Sequence, residues 1–293
     1  MQTIGFAKLN GQGNDFIIID SLDKKYDLSE ELIASMCNRH SGIGADGLIL
    51  VRKSESADFF MDYHNHDGSL AEMCGNGIRC MARFLIEKNL WSGKTVKIDT
   101  RAGIKSIEID YNKITGSTGD IKVNMGKPVF EPQKIPVNAE PVSAAGKSTI
   151  ISNYPLVVKN KEFRINCVSM GNPHCVVFID KEEDINRFPV HIFGPEIEKN
   201  PIFPNKTNVE FIKVIDSTEI FMRVWERGVG ETLACGTGAC ASAVCSIMLD
   251  RVVKPEITVN LNGGNLDIYW EGNNSDVFLK GTVEYTFNGE YIL

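Results

Sequence analysis

Nothing in this 293-residue chain is long and apolar enough to be a membrane-spanning helix. Its first residues, MQTIGFAKLNGQGND, lack the basic and apolar regions of a secretory signal, so the expected location is cytoplasmic. Positive charge is scarce as well. Thirty-one Lys and Arg stand against 38 Asp and Glu, giving a net charge of −7 and a pI near 5.4. That balance argues against nucleic acid or an anionic membrane as partner. The eight cysteines include no Cys-x-x-Cys pair. Cys74 and Cys80 are six apart and Cys235 and Cys240 five, so neither pair suits a zinc knuckle. In a cytoplasmic setting these thiols stay reduced, and most are expected to be buried apolar fillers. GVGETLACGTG fits neither the dinucleotide pattern nor a P-loop, which needs Lys-Ser/Thr after its last glycine. Low-complexity segments are missing too. What remains is ordinary for a soluble globular protein, 43% hydrophobic and 24% charged, with length for two cores.

What is present is a duplication. Cys74 lies in AEMCGNGIRCMA and Cys235 in TLACGTGACASA, each a Cys-Gly-X-Gly step before an apolar stretch that reads as a helix. Asn65 precedes Cys74 by nine residues, and Glu226 precedes Cys235 by nine. VKIDTRAG ends at Gly103 and ITVNLNGG at Gly264, 161 residues apart, the same interval as between the two cysteines. GNDFIIID from Gly13 resembles GNPHCVVFID from Gly171. Two related halves therefore each present one thiol.

Local patterns agree with that division. GFAKLNGQGNDFIIID reads as strand, turn, strand. LSEELIASMCNRH has helical spacing with Ser29 as its N-cap, and ADGLILVRK and DFFMDYHNHDGS read as strands. After Cys74, apolar residues at 78, 81, 84 and 85 predict a helix with one buried face. TVKIDT, GIKSIEID and DIKVNMG follow as strands. The second half repeats the order with FRINCVSMG, PHCVVFID, VEFIKVI, EIFMRVWERG, the helix after Cys235, then EITVNL, LDIYW, DVFLKG and VEYTF. The expectation is a strand-rich sheet wrapped around one strongly apolar helix per half. KPVFEPQKIPVNAEPVSAAGKS, Pro-rich and weakly periodic, reads as an inter-domain stretch or a long surface loop.

A cysteine at a helix start gains from unsatisfied N–H groups and the positive dipole end, which favour a thiolate. Glycines beside it let the backbone approach a ligand. The N–H groups of Gly75, Asn76, Gly236 and Thr237 could cradle one carboxylate. A thiolate on one face of the α-carbon would remove its proton, and the thiol on the other face would return one. The stereocentre would invert with no cofactor, provided that preorganised dipoles in a dry site stabilise the developing charge. Either motif alone reads as a small apolar residue before a helix; the matched pair points to chemistry. Glu226-Arg227 sets a carboxylate beside a guanidinium, suited to an amino-acid group or simply a surface ion pair. Asn14, Asn172 and Asn208 are ligand candidates or turn residues. His174 is placed to hydrogen-bond a cysteine or a carboxylate, or to be a satisfied core group. His64 and His66 alternate around Asn65, but no third ligand is evident and no metal is expected.

With those residues in place, the chain resembles the diaminopimelate epimerase family. The match runs through KLNGQGNDF, NHDGSLAEMCGNGIRCMARF, VSMGNPHCV and ERGVGETLACGTGACA to the last strands, and so covers nearly the whole chain. The resemblance implies cofactor-independent interconversion of LL- and meso-diaminopimelate, a step in lysine and cell-wall precursor synthesis. It implies an α/β (α+β type) fold of two pseudo-symmetric domains, each a β-barrel-like sheet around a central helix, with the site in the cleft between them. The domains would be residues 1–121 with 281–293 returning to them, and residues 122–280. Cys74 and Cys235 would be the acid/base pair, with the reacting carboxylate on the backbone of Gly75, Asn76, Gly236 and Thr237. Asn14 would bind near the reacting centre, and Asn65, Asn172, Asn208, Glu226 and Arg227 would hold the distal end of this small diamino dicarboxylate. His174 and Glu226 would tune the thiols, and a homodimer is the implied assembly. Two departures stand out: Gly47 replaces a glutamine that contacts substrate in some members, and His66 replaces a small residue.

Three rivals stay in view. A racemase of the proline type carries paired Cys-Gly motifs but has no use for a second zwitterion site. A thiol redox protein would leave the glycines and distal ligands unexplained. A non-catalytic amino-acid binding module would bind fully with both cysteines changed to serine.

Overall fold

The chain opens with a tight hairpin in which β1 (Thr3–Gly11) turns at Gln12-Gly13 into β2 (Asn14–Asp20). Both turn residues have positive φ, 55° and 79°, as a two-residue hairpin loop with the right twist demands. Gln12 is not a glycine, and its left-handed backbone is held by side-chain bonds to Thr282 and Arg79. This computed structural model describes residues 3–112, 117–140, 150–253 and 255–293. Of the Pro-rich stretch, 127–140 are described and 141–148 lie outside the described residues.

The first half continues through α1 (Glu30–Cys37), β3 (Gly47–Arg52), β4 (Phe59–Asn65), α2 (Gly75–Glu87), β5 (Thr95–Asp99), β6 (Lys105–Asn112) and β7 (Ser117–Gly126). The second contains β8 (Tyr154–Val158), β9 (Lys161–Ser169), β10 (Pro173–Phe178), α3 (Val190–Glu198), β11 (Asn208–Val214) and β12 (Glu219–Glu226). It goes on through β13 (Gly230–Thr232), α4 (Gly236–Met248), β14 (Glu256–Leu261), β15 (Gly264–Tyr269) and β16 (Val277–Gly281). The final strand, β17 (Glu284–Ile292), pairs antiparallel with β1. Two compact units result, one of residues 1–124 with 280–293 and one of residues 125–279.

Strand pairing repeats between the units. β2 lies parallel to β3 as β10 does to β11. β3 and β4 are antiparallel, like β11 and β12, while β4 runs parallel to β5 as β12 does to β14. The duplication in the sequence is therefore a duplication of topology.

Burial follows from these layers. Phe16, Ile17, Ile18 and Ile19 are all fully buried because β2 is covered on both faces. Ile17 and Ile19 pack with Ile33 and Met36 of α1, whereas Phe16 lies against Gly77 of α2. Each such side chain contributes about 1.5–3 kcal/mol. In the second unit Phe163, Phe188 and Phe211 form the equivalent layer and pack against Phe193 of α3, with the Phe188 and Phe211 ring centroids 4.8 Å apart.

One expectation needs correction, and one element escaped the sequence reading. The helix after Cys74 does not bury one face only. Gly75 through Ala82 are buried without a break, because β1, β2, β3, β6 and β17 all contact it. α3 has no sequence signal of its own, since Pro195 lies inside it and Pro189 at its N-cap makes no side-chain bond. Ser29, by contrast, caps α1 as its position indicates, accepting from the Leu32 amide.

Candidate active site

Each unit has one central helix whose N-cap is a thiol. Cys74 caps α2 with φ −134° and ψ 123°, and its Sγ accepts from the Gly77 amide at 3.4 Å. Cys235 caps α4 with φ −130° and ψ 114°, and its Sγ accepts from the Gly238 amide, also at 3.4 Å. The first amides of each helix, on Gly75 and Asn76 and on Gly236 and Thr237, have no intrahelical acceptor and remain as donors for an anion.

Neutral amides surround Cys74. Its Sγ lies 3.6 Å from Asn14 Oδ1, which also accepts from Asn76 Nδ2 at 3.3 Å. Asn14 is fixed in turn by donating to Asp46 at 2.8 Å. Asn76 is buried and accepts from Arg79, a fully buried guanidinium that also donates to the Gly75 carbonyl and to Gln12. Arg79 therefore positions Asn76 and, through it, Asn14. Sequence reasoning missed it; the signal was a cation in the first, apolar turns of a helix, where Arg83 further along can pair with Glu87 but Arg79 has no carboxylate four residues away on the helix. Asn65 ends β4 and donates to Ser69, without a described contact to this group.

Charge surrounds Cys235. Thr237 Oγ1 lies 3.5 Å from its Sγ and accepts from Asn172 Nδ2 at 3.3 Å. The Asn172 Oδ1 accepts from His174 Nε2 at 2.9 Å, and His174 Nδ1 lies 2.7 Å from Glu210 Oε1. Glu226, partly buried, accepts from Thr232 and also bonds the Cys235 thiol. Asn208 is buried beside this group, donating to the Pro173 carbonyl and accepting from the Arg227 amide. Arg227 itself is exposed and reaches the Asn205 carbonyl. Glu226 and Arg227 do not form a side-by-side pair, because consecutive residues at a strand end point opposite ways.

Burial and the charges of Glu226 and Glu210 push the Cys235 thiol well above its ordinary value, against the Thr237 hydroxyl and the Gly238 amide. The helix start was expected to favour a thiolate, and here it loses. A helix end and one N–H bond are each worth about 1 kcal/mol, under one pKa unit, while burial shifts a group by up to about 3–5 units. Burial likewise raises the Glu226 carboxyl, aided by Glu210, although hydrogen bonds from Thr232 and Cys235 and the nearby His174 pull it down. Cys235 thus rests as a thiol beside a carboxylate whose own proton affinity is also raised.

The remaining candidates are settled locally. His64 is a satisfied core group, its Nδ1 3.1 Å from the Gly68 carbonyl and its Nε2 3.3 Å from Asp62. His66 is exposed beyond the end of β4, and no cluster of three metal-binding side chains occurs among the described residues. A Cβ on Gly47 would meet the His64 carbonyl at 2.6 Å and the Tyr63 ring at 2.7 Å, so a glutamine there would have to displace β4. No helix among the described residues is long and apolar enough to cross a membrane.

The sequence model of the diaminopimelate epimerase family matches residues 6–131 and 166–286. A diaminopimelate epimerase of Halothermothrix orenii is 48% identical over 99% of this chain and 98% of its own. One of Acetivibrio thermocellus is 42% identical, covering 97% of each. Among solved structures, a hydroxyproline epimerase of Agrobacterium vitis superposes with a TM-score of 0.71 at 12% identity, covering 98% of this chain and 92% of that one. A phenazine biosynthesis protein of the PhzF family from Bacillus anthracis gives 0.67 at 19% identity, with full coverage of both chains. These structures share the fold, a strand-dominated α/β architecture with few helices. On sequence, by the family match and by identity above 40% across almost its full length, this chain belongs to the diaminopimelate epimerase family.

Proposed function

We propose that this protein interconverts LL- and meso-diaminopimelate in lysine and cell-wall precursor synthesis, using Cys74 and Cys235 as a two-base pair and no cofactor. The observation that carries this reading is the duplicated thiol cap, one cysteine per unit with matching backbone geometry. The reacting carboxylate sits on the amides of Gly75, Asn76, Gly236 and Thr237, with Asn14 near the reacting centre. Asn65, Asn172, Asn208, Glu226 and Arg227 hold the distal amino-acid group. One cysteine takes the α-proton as a thiolate while the other gives a proton to the opposite face, and the amide dipoles stabilise the charge that develops in between. The protein works in the cytoplasm as a homodimer, with no nucleic-acid or membrane partner, in keeping with its charge of −7.

His174 and Glu226 tune the thiols. When Cys235 must act as base, Glu226 is the group beside it able to receive its proton. Glu226→Gln is expected to have effects of opposite sign. Turnover falls about 10²-fold through loss of the proton acceptor. Alkylation of Cys235 by iodoacetamide at neutral pH, followed by peptide mass spectrometry, becomes faster because the charge that disfavours the thiolate is gone. Parallel loss of both would refute the proton-acceptor role.

The function itself is tested by incubating reduced protein with LL-diaminopimelate in D2O, without added cofactor, and following the α-proton by NMR. Loss of that signal with appearance of the meso isomer is the expected result. No exchange under reducing conditions sinks the assignment, and proline or a thioether-bridged diamino diacid becomes the next substrate to try.

A further inference from the structure

Glu210 is a fully buried carboxylate on β11 with no part in the mechanism so far. Its Oε1 meets His174 Nδ1 at 2.7 Å, and its Oε2 has no hydrogen-bond partner among the described residues. From His174 a continuous chain runs to the thiol. Nε2 lies 2.9 Å from Asn172 Oδ1, Asn172 Nδ2 lies 3.3 Å from Thr237 Oγ1, and Thr237 Oγ1 lies 3.5 Å from Cys235 Sγ. We propose that Glu210 is a positioning residue that keeps a proton on Nε2 of His174 and so sets the direction of this chain, leaving the Thr237 hydroxyl proton for the Cys235 sulfur. The proposal rests on the epimerase reading of the site.

Proton placement decides the direction. If Glu210 is ionised and His174 carries protons on both nitrogens, Nε2–H donates to Asn172. If Glu210 is protonated and donates to Nδ1, Nε2–H still donates to Asn172. In both cases the Asn172 amide donates to Thr237 Oγ1, and the hydroxyl proton is free to point at sulfur. The third arrangement, a carboxylate beside an imidazole protonated on Nδ1 alone, leaves Nε2 bare. Asn172 would then have to turn over, drawing the Thr237 proton away from Cys235. It also leaves a buried carboxylate with one neutral donor and an unpartnered oxygen, the costliest of the three. The chain thus ends as a donor to sulfur, which favours the thiolate that Cys235 must become against the charges of Glu226 on β12 and Glu210 on β11.

The duplication supplies an internal control. Gly238 of α4 has Glu210 Oε1 against it, whereas Gly77 of α2 has Ile49, Phe16 and Met61. By strand register Phe16 and Ile49 stand where His174 and Glu210 stand, since Phe16 pairs with Gly47 as His174 pairs with Asn208. The fold accepts an apolar pair at this place in one unit. The polar pair in the other is therefore not required by packing.

The test begins on the wild-type protein, with ¹⁵N-labelled histidine and ring-nitrogen NMR, the His174 signals assigned by their loss in His174→Gln. A protonated Nε2 between pH 6 and 9 is expected; an Nδ1–H imidazole with a bare Nε2 overturns the proposal. Glu210→Leu should then lower kcat about 10²-fold, as expected for a misoriented catalytic group, with KM changed less than threefold. Glu210→Gln, whose amide can still donate to Nδ1, should recover at least a tenth of wild-type kcat. A Leu variant with wild-type kcat overturns the proposal, as does a Gln variant no better than Leu. If the Leu variant does not fold, the wild-type NMR result decides. Failure of the epimerase reading is distinct, because it shows as wild-type protein that exchanges no α-proton.

Discussion

Cys235→Ala is expected to lower turnover of LL-diaminopimelate by about 10²–10⁴-fold, the range for loss of a general acid or base, and Cys74→Ala by as much. The two losses should be far from additive in the double variant, because a proton cannot cross the α-carbon with either face unserved. Isotope placement separates this from simple damage. In D2O the wild-type protein should put deuterium into the inverted product while early recovered substrate keeps its proton, since the thiol on the receiving face carries solvent deuterium. Equal early labelling of substrate and product would mean a single base and would remove the need for two cysteines. Substrate binding by a Cys74→Ser, Cys235→Ser double variant is expected to persist with no exchange, which separates an enzyme from a binding module by the exchange of the wild type.

The second large effect is expected from one methyl group. A Cβ at Gly238 would stand 2.8 Å from Glu210 Oε1 and 3.3 Å from both Cβ and Sγ of Cys235. Glu210 has no slack, being fully buried against His174. Gly238→Ala should therefore move the thiol or the carboxylate, lowering kcat about 10²-fold and stability by about 1–3 kcal/mol. Gly77→Ala is the control. Its Cβ would meet Met61, Ile49 and Phe16 at 3.1 to 3.3 Å, and the first two of these are the ends of adaptable side chains. The loss there should be no more than about tenfold in kcat. Thermal denaturation with steady-state kinetics on both variants checks the contrast, and equal losses at the two glycines would refute it.

The thiol pair was legible because duplication repeats a short motif at fixed spacing, which packing alone has no reason to do. The hairpin at Gln12-Gly13 and the cap at Ser29 were legible because local chemistry sets them. What escaped depends on the tertiary surroundings. α3 carries a proline where a helix should not have one, and its stability comes from packing on β8, β11, β12 and β13. β13 is three residues long, too short for any period to show. Glu210 was visible only as a carboxylate inside the apolar run VEFIKV, and nothing local tells whether such a group meets solvent, a cation or a histidine. Cys235 was placed at a helix start by the sequence, yet the effect on its thiol was misjudged, since burial and the charges of Glu226 on β12 and Glu210 on β11 are set by the tertiary fold.

The pairing of β17 with β1 has a consequence for biosynthesis. Residues 125–279 are contiguous and can fold as soon as they leave the ribosome, whereas the first unit needs residues 280–293 to complete its sheet. β1 must wait for β17, with the whole second unit synthesised between them. The order of folding is therefore the reverse of the order of synthesis, and the Cys74 half is the last to become a finished scaffold.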